Sequence, residues 1–553
     1  EVERRLHGSG SVQPIVERLI DMGMLEDRRE GGELAYAFSH ILSQETIYNS
    51  ILHSQRPGLH RTVAETIEAL YADDLANQAE ALALHYDRAR VREKAMRYAV
   101  QAGDRARARF ANHEAIEYYS RALQLSQHLS GYEATRWKAA IGLGEVEQLI
   151  GEYEEAIAFY QATLEEWSEA SAEDRAWAML KLAQVWDKRG NLQEAQNWLR
   201  QALAQLDRVR GSVPELRAQV YSDLGWLSLR RGDLTAAKDW LEQGLALVGD
   251  TEQYGVLSSI LNRLGAVYYN RSEWQQAAGY VERALELREK LGDVVGYARS
   301  INNLGILKQA SGDWDGALAD YQRAVEMHEQ IGEVEGLALA YTNLGVVYTD
   351  RGDWQKAEEN LQRSFAIAQR VAHAYELAQA HMNLGRLYLL QARWPDCAKH
   401  LNAAIPLYEE AGAHANLNLN DAFYLQSTLN LEQGQLKAAR QWAARSYELL
   451  RAATATSTEE SVEWGRYEQV VGRIAMADAD LAGARDHFDH SLTIFRANGS
   501  QLELGRTYYW SALLSQKMNQ VARARDEVDF ARKIFEALGA QADLERVTGI
   551  LST

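Results

Sequence analysis

The chain is 553 residues long with a formal net charge of −19 and a sequence pI near 5.3, a balance that disfavours general binding to nucleic acid or anionic membranes. It has 5 prolines, roughly a fifth of the usual ~5% share, which suits long uninterrupted helices because Pro removes a backbone donor and clashes with the preceding turn. The single cysteine, Cys397, gives no sign of an oxidising compartment, and no apolar run reaches the roughly 18 residues of a membrane span.

Cytoplasm is therefore the expected location. The chain opens on Glu1 rather than Met, as a piece of a longer protein would, and lacks a basic segment leading into an apolar core.

From the N-terminus, residues 12–28 (VQPIVERLIDMGMLEDR) predict an amphipathic helix. Residues 33–40 (ELAYAFSH) form a short alternating stretch, a strand or a wing, and helices are predicted over 43–53 and 58–71.

Further on, a Leu-Gly or Leu-Ala pair returns about every forty residues, from Leu143-Gly144, Leu182-Ala183 and Leu224-Gly225 to Leu264-Gly265, Leu304-Gly305, Leu344-Gly345 and Leu384-Gly385. A fixed period of this length means stacked supersecondary units. Each pair marks the centre of a first helix, where the missing side chain admits a second. Turn glycines follow at Gly151, Gly190, Gly232, Gly312 and Gly352, the last two with an Asp that caps the next helix. Small residues at Ala156, Ala195, Ala237, Ala317 and Ala357 mark the crossings, and Cys397 falls in the same phase. Past residue 410 the pattern decays but keeps step through Gly434 with Ala439, Ala484 with Phe488, and Ala524 with Val528.

The pattern of small residues resembles the tetratricopeptide repeat over residues 112–535, with a period near forty instead of 34, so each helix is expected to be longer by about a turn. The resemblance implies an all-α, right-handed superhelical solenoid of about ten helix-turn-helix units. The expected division is a partial winged-helix-like region at 1–75, connecting helices and a first repeat at 76–130, a regular array at 131–410, divergent units at 411–535 and a cap at 536–553.

The junction from Phe38, His40, Gln44, Tyr48, Leu59, His60, Arg61 and Ala64 to His85, Tyr86, Ala95, Ala102-Gly103, Ala115 and Tyr119 resembles another feature. It looks like the winged-helix-to-repeat connection of bacterial signalling ATPases of the STAND type. In that family an upstream nucleotide-binding module packs on the winged helix. No GxxxxGK[ST] run occurs in this sequence, so no cofactor is expected here and a nucleotide would belong to the parent protein.

Catalysis has no address in the sequence: neither a Ser-His-Asp nor a Cys-His constellation can be picked out. His487 and His490 lack an identifiable third ligand, so no metal site is expected and a solvated face is the simpler reading. Trp274, Trp314, Trp354 and Trp394, spaced by 40, read as packing between helices. Arg283, Arg323 and Arg363, which share another phase, read as a solvated face or as intra-array ion pairs worth little individually.

Ligand contacts are instead expected from polar residues of the first helices, which line the concave groove of such arrays. Counting from each Leu-Gly gives Asn262, Tyr269, Asn270, Arg299, Asn302, Gln309, Thr342, Thr349, Asp350, Gln379 and Arg386. Asn303, Asn343 and Asn383 border them; an amide both donates and accepts, so it can hold a peptide or bridge neighbouring helices. Trp186, Lys188, Trp226 and Arg230 extend the groove toward the N-terminus.

The resemblances imply a non-catalytic sensor and scaffold arm that binds a protein or linear peptide in the groove, or a small effector, and signals to an upstream module; neither nucleic acid nor membrane is expected. The rivals are an inducer-binding array of the maltose-regulator type, favoured by a compact aromatic-lined pocket, and a constitutive scaffold of the Pins or kinesin-light-chain type.

Overall fold

A close helix crossing is what the repeat encodes. A Cβ added to Gly305 would lie 2.7 Å from the Tyr321 ring, and one on Gly345 would lie 2.5 Å from Leu361. Across these crossings Ala277, Ala317, Ala357 and Cys397 are completely buried.

The computed structural model describes residues 13–30, 33–127, 129–167, 170–209, 213–249, 252–271, 273–371, 374–411, 416–453 and 461–550. The chain divides into two compact units, Glu1–Gln148 with Ala158–Ser168, and Leu149–Ile157 with Glu169–Thr553.

The first unit opens with α1 (Gln13–Asp21), β1 (Leu25–Glu30) and β2 (Glu33–Phe38). The predicted helix over 12–28 is therefore too long. Gly23 turns the chain with φ of +67°, and the following residues pair antiparallel from Leu25↔Phe38 to Glu30↔Glu33. Next come α2 (Ile41–Ser50), α3 (Arg56–Leu70), α4 (Ala79–Arg88), α5 (Arg92–Ala108) and α6 (Asn112–Ser126).

Leu82, Tyr86, Met96, Tyr98 and Tyr119 build the core of this unit. Within it the Glu68 carboxylate accepts from Lys94 Nζ and Tyr98 Oη, each at 2.6 Å, and from Tyr86 Oη. Two of the junction histidines meet: His60 Nδ1 lies 3.0 Å from His85 Nδ1, and His60 Nε2 lies 3.0 Å from Tyr48 Oη. The hairpin α7 (Glu133–Ile150) and α8 (Tyr153–Glu166) contributes to both units.

The second unit continues in antiparallel pairs: α9 (Ala172–Lys188) with α10 (Leu192–Leu206), α11 (Pro214–Arg230) with α12 (Leu234–Val248), and α13 (Tyr254–Asn270) with α14 (Trp274–Leu291). Then follow α15 (Val294–Ala310) with α16 (Trp314–Ile331), α17 (Val334–Arg351) with α18 (Trp354–Val371), and α19 (Ala374–Leu390) with α20 (Trp394–Ala411). The last pairs are α21 (Asn416–Glu432) with α22 (Leu436–Ala453), α23 (Val462–Ala477) with α24 (Leu481–Ala497), and α25 (Gln501–Lys517) with α26 (Val521–Leu538). A single helix, α27 (Gln541–Ile550), completes the described residues. The architecture is an all-α repeat solenoid, and helices such as α16 to α18, at 18 residues each, account for the long period.

The stop signals act as their chemistry requires. Gly312 and Gly352 take φ of +90° and +88°, and the Asp233, Asp293, Asp313 and Asp480 carboxylates each accept a backbone N–H three residues on. Trp314 is buried, Trp354 and Trp394 pack on the core of their pairs, and Trp274 meets Tyr269 edge-on at 5.2 Å.

Distant repeats also touch. One apolar core contains Ile301, Tyr321 and Leu344 together with Phe495, Phe535 and Val547. Helix α27 packs on α25, α26 and α17, and a Cβ on Gly352 would lie 2.9 Å from the Cβ of Ala542. At the other end of the unit, a Cβ on Gly151 would lie 2.9 Å from Val334. The solenoid of this unit thus closes a turn in four to five repeats.

Candidate ligand chamber on the inner wall

Closing a turn brings first helices from different turns face to face, and their polar residues meet near the axis. Two clusters result.

The first joins α9 and α11 to α15, α17 and α19. Lys188 Nζ lies 2.5 Å from Glu335 Oε2; Arg299 reaches Glu333 at 2.9 Å and Glu335 at 3.6 Å. Arg230 pairs with Asp187 at 2.6 Å, and Trp226 Nε1 donates to the same carboxylate at 3.0 Å. Burial pushes Asp187 above the usual carboxylate range although Arg230 pulls it down. Burial acts on Glu335 too, but Lys188 and Arg299 outweigh it and hold its pKa below the ordinary value. Glu376, half-buried, is raised to about 7 by desolvation and then by the charge of Glu335, against the pull of Lys188 and Arg230. Lys188, Arg299 and Arg230 thus offset the desolvation of Glu335, Glu333 and Asp187, whereas Glu376 takes up a proton more readily than an ordinary carboxylate.

The second cluster surrounds a chamber of about 410 Å³. It is lined by α17, α19, α21, α23, α25 and α27, with Trp394 at the start of α20. Arg386 and Arg506 share Asp350, at 2.5 and 3.3 Å, and Arg506 also holds Asp543 at 2.9 Å. Arg466 pairs with Asp421 at 2.7 Å, and Arg473 pairs with Glu432 at 2.6 Å and lies 4.0 Å over the Trp510 ring. Burial would raise Glu503, yet Arg466, Arg506 and Arg386 hold it below the usual carboxylate range. Tyr424, Tyr509, Trp510 and Trp394 supply flat apolar wall. A partly open chamber of this size with aromatic walls and a few fixed polar groups suits one compact ligand or the end of a larger one.

The eleven residues expected to contact ligand are dispersed by the structure. Asp350 and Arg386 meet at the chamber, and Arg299 joins the first axial cluster. Asn302, 2% exposed, accepts from Asn343 Nδ2 at 3.1 Å, and Asn262 accepts from Asn303 at the same distance. Thr342 bonds Ser364 and Thr349 bonds the Gly345 carbonyl, both inside the helix packing. Gln309 accepts from Tyr321 Oη, Tyr269 stands against Trp274, and Asn270 bonds its own helix at Ala266. Gln379 lies half-buried on α19.

Chamber residues beyond position 410 escape the Leu-Gly count because that mark has faded there. A signal was nonetheless present. Arg386, Arg466, Arg506 and Arg546 share one phase of the forty-residue period, with Gln426 between the first two, and Glu463, Glu503 and Asp543 share another. Arg323 and Arg363, read as solvated, lie over Tyr297 and Tyr341 at 5.3 and 5.4 Å. His487 Nδ1 and His490 Nδ1 face Glu468 at 2.6 and 3.4 Å, and Cys397 is a buried thiol pushed up to about 12.

Residues 138–208, 188–248, 256–330 and 336–410 match a family model described as tetratricopeptide repeat, and these segments fold as successive helix pairs. An uncharacterized protein of Rhizobium meliloti (strain 1021) is 33% identical over 147 residues, 26% of this chain; the match spans 14% of that relative's length. Among solved structures, a Rap protein complexed with competence and sporulation factor is 13% identical, covers 66% of this chain and 99% of its own, and has a TM-score of 0.48. The apo quorum sensor NprR of B. thuringiensis is 13% identical, with 68% and 99% covered and a TM-score of 0.46. A STAND protein with a tetratricopeptide repeat sensor from Pyrococcus horikoshii is 14% identical, with 82% and 61% covered and a TM-score of 0.42. No helix among the described residues is long and apolar enough to cross a membrane.

Proposed function

We propose that this chain is the non-catalytic, ligand-binding sensor and scaffold arm of a larger signalling protein of the STAND type, and that its protein or peptide partner seats in the inner-wall chamber. The observation that carries the reading is the chamber itself: six helices of one closed turn converge on about 410 Å³ walled by aromatics and arginines. An upstream nucleotide-binding module in the parent is supported by the junction residues Phe38 to Tyr119. Occupancy alters the parent's output only if the ligand prefers one superhelical state to another.

A small effector is a second reading, favoured by the compactness of the chamber relative to a long open groove. Both predict the same first result. A mixed-sequence peptide pool or metabolite pool should raise Tm, by an amount corresponding to ~2.7 kcal/mol at a hundredfold excess over Kd. The combined variant Arg386→Gln with Tyr424→Ala should lose that shift while keeping its far-ultraviolet circular dichroism. Retention of the shift by this variant removes the chamber from the reading, and turnover by the isolated chain would overturn the assignment as a whole.

A further inference from the structure

The chamber has a seam, and two arginines stand on either side of it. Arg386 belongs to α19, in the wall; Arg546 belongs to α27, the helix that closes the turn. Both line the chamber, and Arg546 Nη2 donates at 3.3 Å to the carbonyl of Leu390, one helical turn beyond Arg386. The other chamber arginines are committed: Arg506 to Asp543 and Asp350, Arg466 to Asp421, Arg473 to Glu432. Arg546 has no ion pair among the described residues, and Arg386 gives its carboxylate partner one bond, Nη2 to Asp350. A guanidinium carries five donors, so the open hydrogen-bonding capacity at the seam is donor capacity beside a positive charge. Such capacity is matched by a carboxylate. Trp394, Leu389 and Leu390 line the chamber beside it, so the group next to that carboxylate is apolar or aromatic.

We propose, resting on the chamber reading above, that the ligand presents a carboxylate adjoining an apolar group to Arg386 and Arg546 together. Filling the chamber and clamping α27 onto the inner wall are then one event, which gives the ligand the differential affinity for the closed turn that a sensor needs. The carboxylate is either the C-terminus of a peptide or a small apolar acid.

The test uses the full chain and four probes: mixed-sequence hexapeptide pools with free and with amidated C-termini, N-acetyl-phenylalanine, and its amide. Binding is read by tryptophan fluorescence, and closure by hydrogen exchange over Gln541–Ile550. At least a tenfold preference for a free acid over its amide is expected, with slower exchange in α27. Arg546→Gln should bring the preference near unity, and Arg546→Lys should restore part of it. Preference among the hexapeptides assigns a peptide terminus, and preference confined to N-acetyl-phenylalanine assigns a small acid. Equal binding of acids and amides, or an Arg546→Gln variant that keeps the preference, overturns the carboxylate and leaves the chamber reading standing. If none of the four binds and the metabolite pool gives no thermal shift, both fall.

Discussion

At single positions the structure separates two uses of glycine. Gly345 is helical and needed for space, since a Cβ there would lie 2.5 Å from Leu361 Cγ and 3.2 Å from the Leu361 backbone nitrogen. Gly232 is needed for its left-handed backbone, with φ of +80° and open space around it. Gly345→Ala should therefore cost about 1–3 kcal/mol as overpacking, whereas Gly232→Ala should cost roughly 1–2 kcal/mol as conformation; thermal unfolding followed by circular dichroism measures both. Glu376 makes a prediction of the opposite sign. Its pKa rises from an ordinary 4.5 to about 7 through burial and then through Glu335. The folded state therefore holds the extra proton, and the associated stability is full below pH 4.5 and lost as pH passes 7. Glu376→Gln should raise stability at pH 8, by on the order of 1–3 kcal/mol at about 1.4 kcal/mol per pKa unit, seen as a higher Tm, and the gain should vanish near pH 4.5. A gain independent of pH would assign it to packing.

At the scale of elements, a repeat is a pair of helices, a glycine or other left-handed residue, and a carboxylate cap. Asp313 Oδ1 accepts the Gly316 N–H at 2.9 Å, so Asp313→Ala should cost about 0.5–2 kcal/mol, measured by chemical denaturation. These devices are local, which is why the paired helices and turn glycines were legible from spacing alone. The exception is instructive. Residues 12–28 carry apolar positions at helical spacing, yet the helix stops at Asp21 and Leu25–Glu30 pairs with Glu33–Phe38. Gly23 in the left-handed region outweighed the periodicity. The arginine and carboxylate phases that line the chamber were equally periodic, but they are polar, and a count keyed to Leu-Gly passes over them.

The whole second unit turns on a quantity no repeat states, the number of units per superhelical turn. With four to five, α27 reaches α17, and residues 156 apart, Asp350 and Arg506, come within 3.3 Å. An inner wall read as a long open groove becomes a partly open chamber lined by ion pairs. Asn302 and Thr349 lie in packing, whereas Arg386 lines the chamber and its partner Asp350 reaches across to Arg506 of the next turn. Burial of paired charges is sensitive to loss of one member, with costs of about 3–5 kcal/mol, so closure and stability are linked. A double-mutant cycle on Asp350→Asn and Arg506→Gln, read by equilibrium denaturation, tests this closure most directly. A closed turn requires a coupling energy of about 0.5–3 kcal/mol between the two positions, whereas effects that add within roughly 0.3–0.5 kcal/mol would show that the two turns do not meet and that the chamber does not exist.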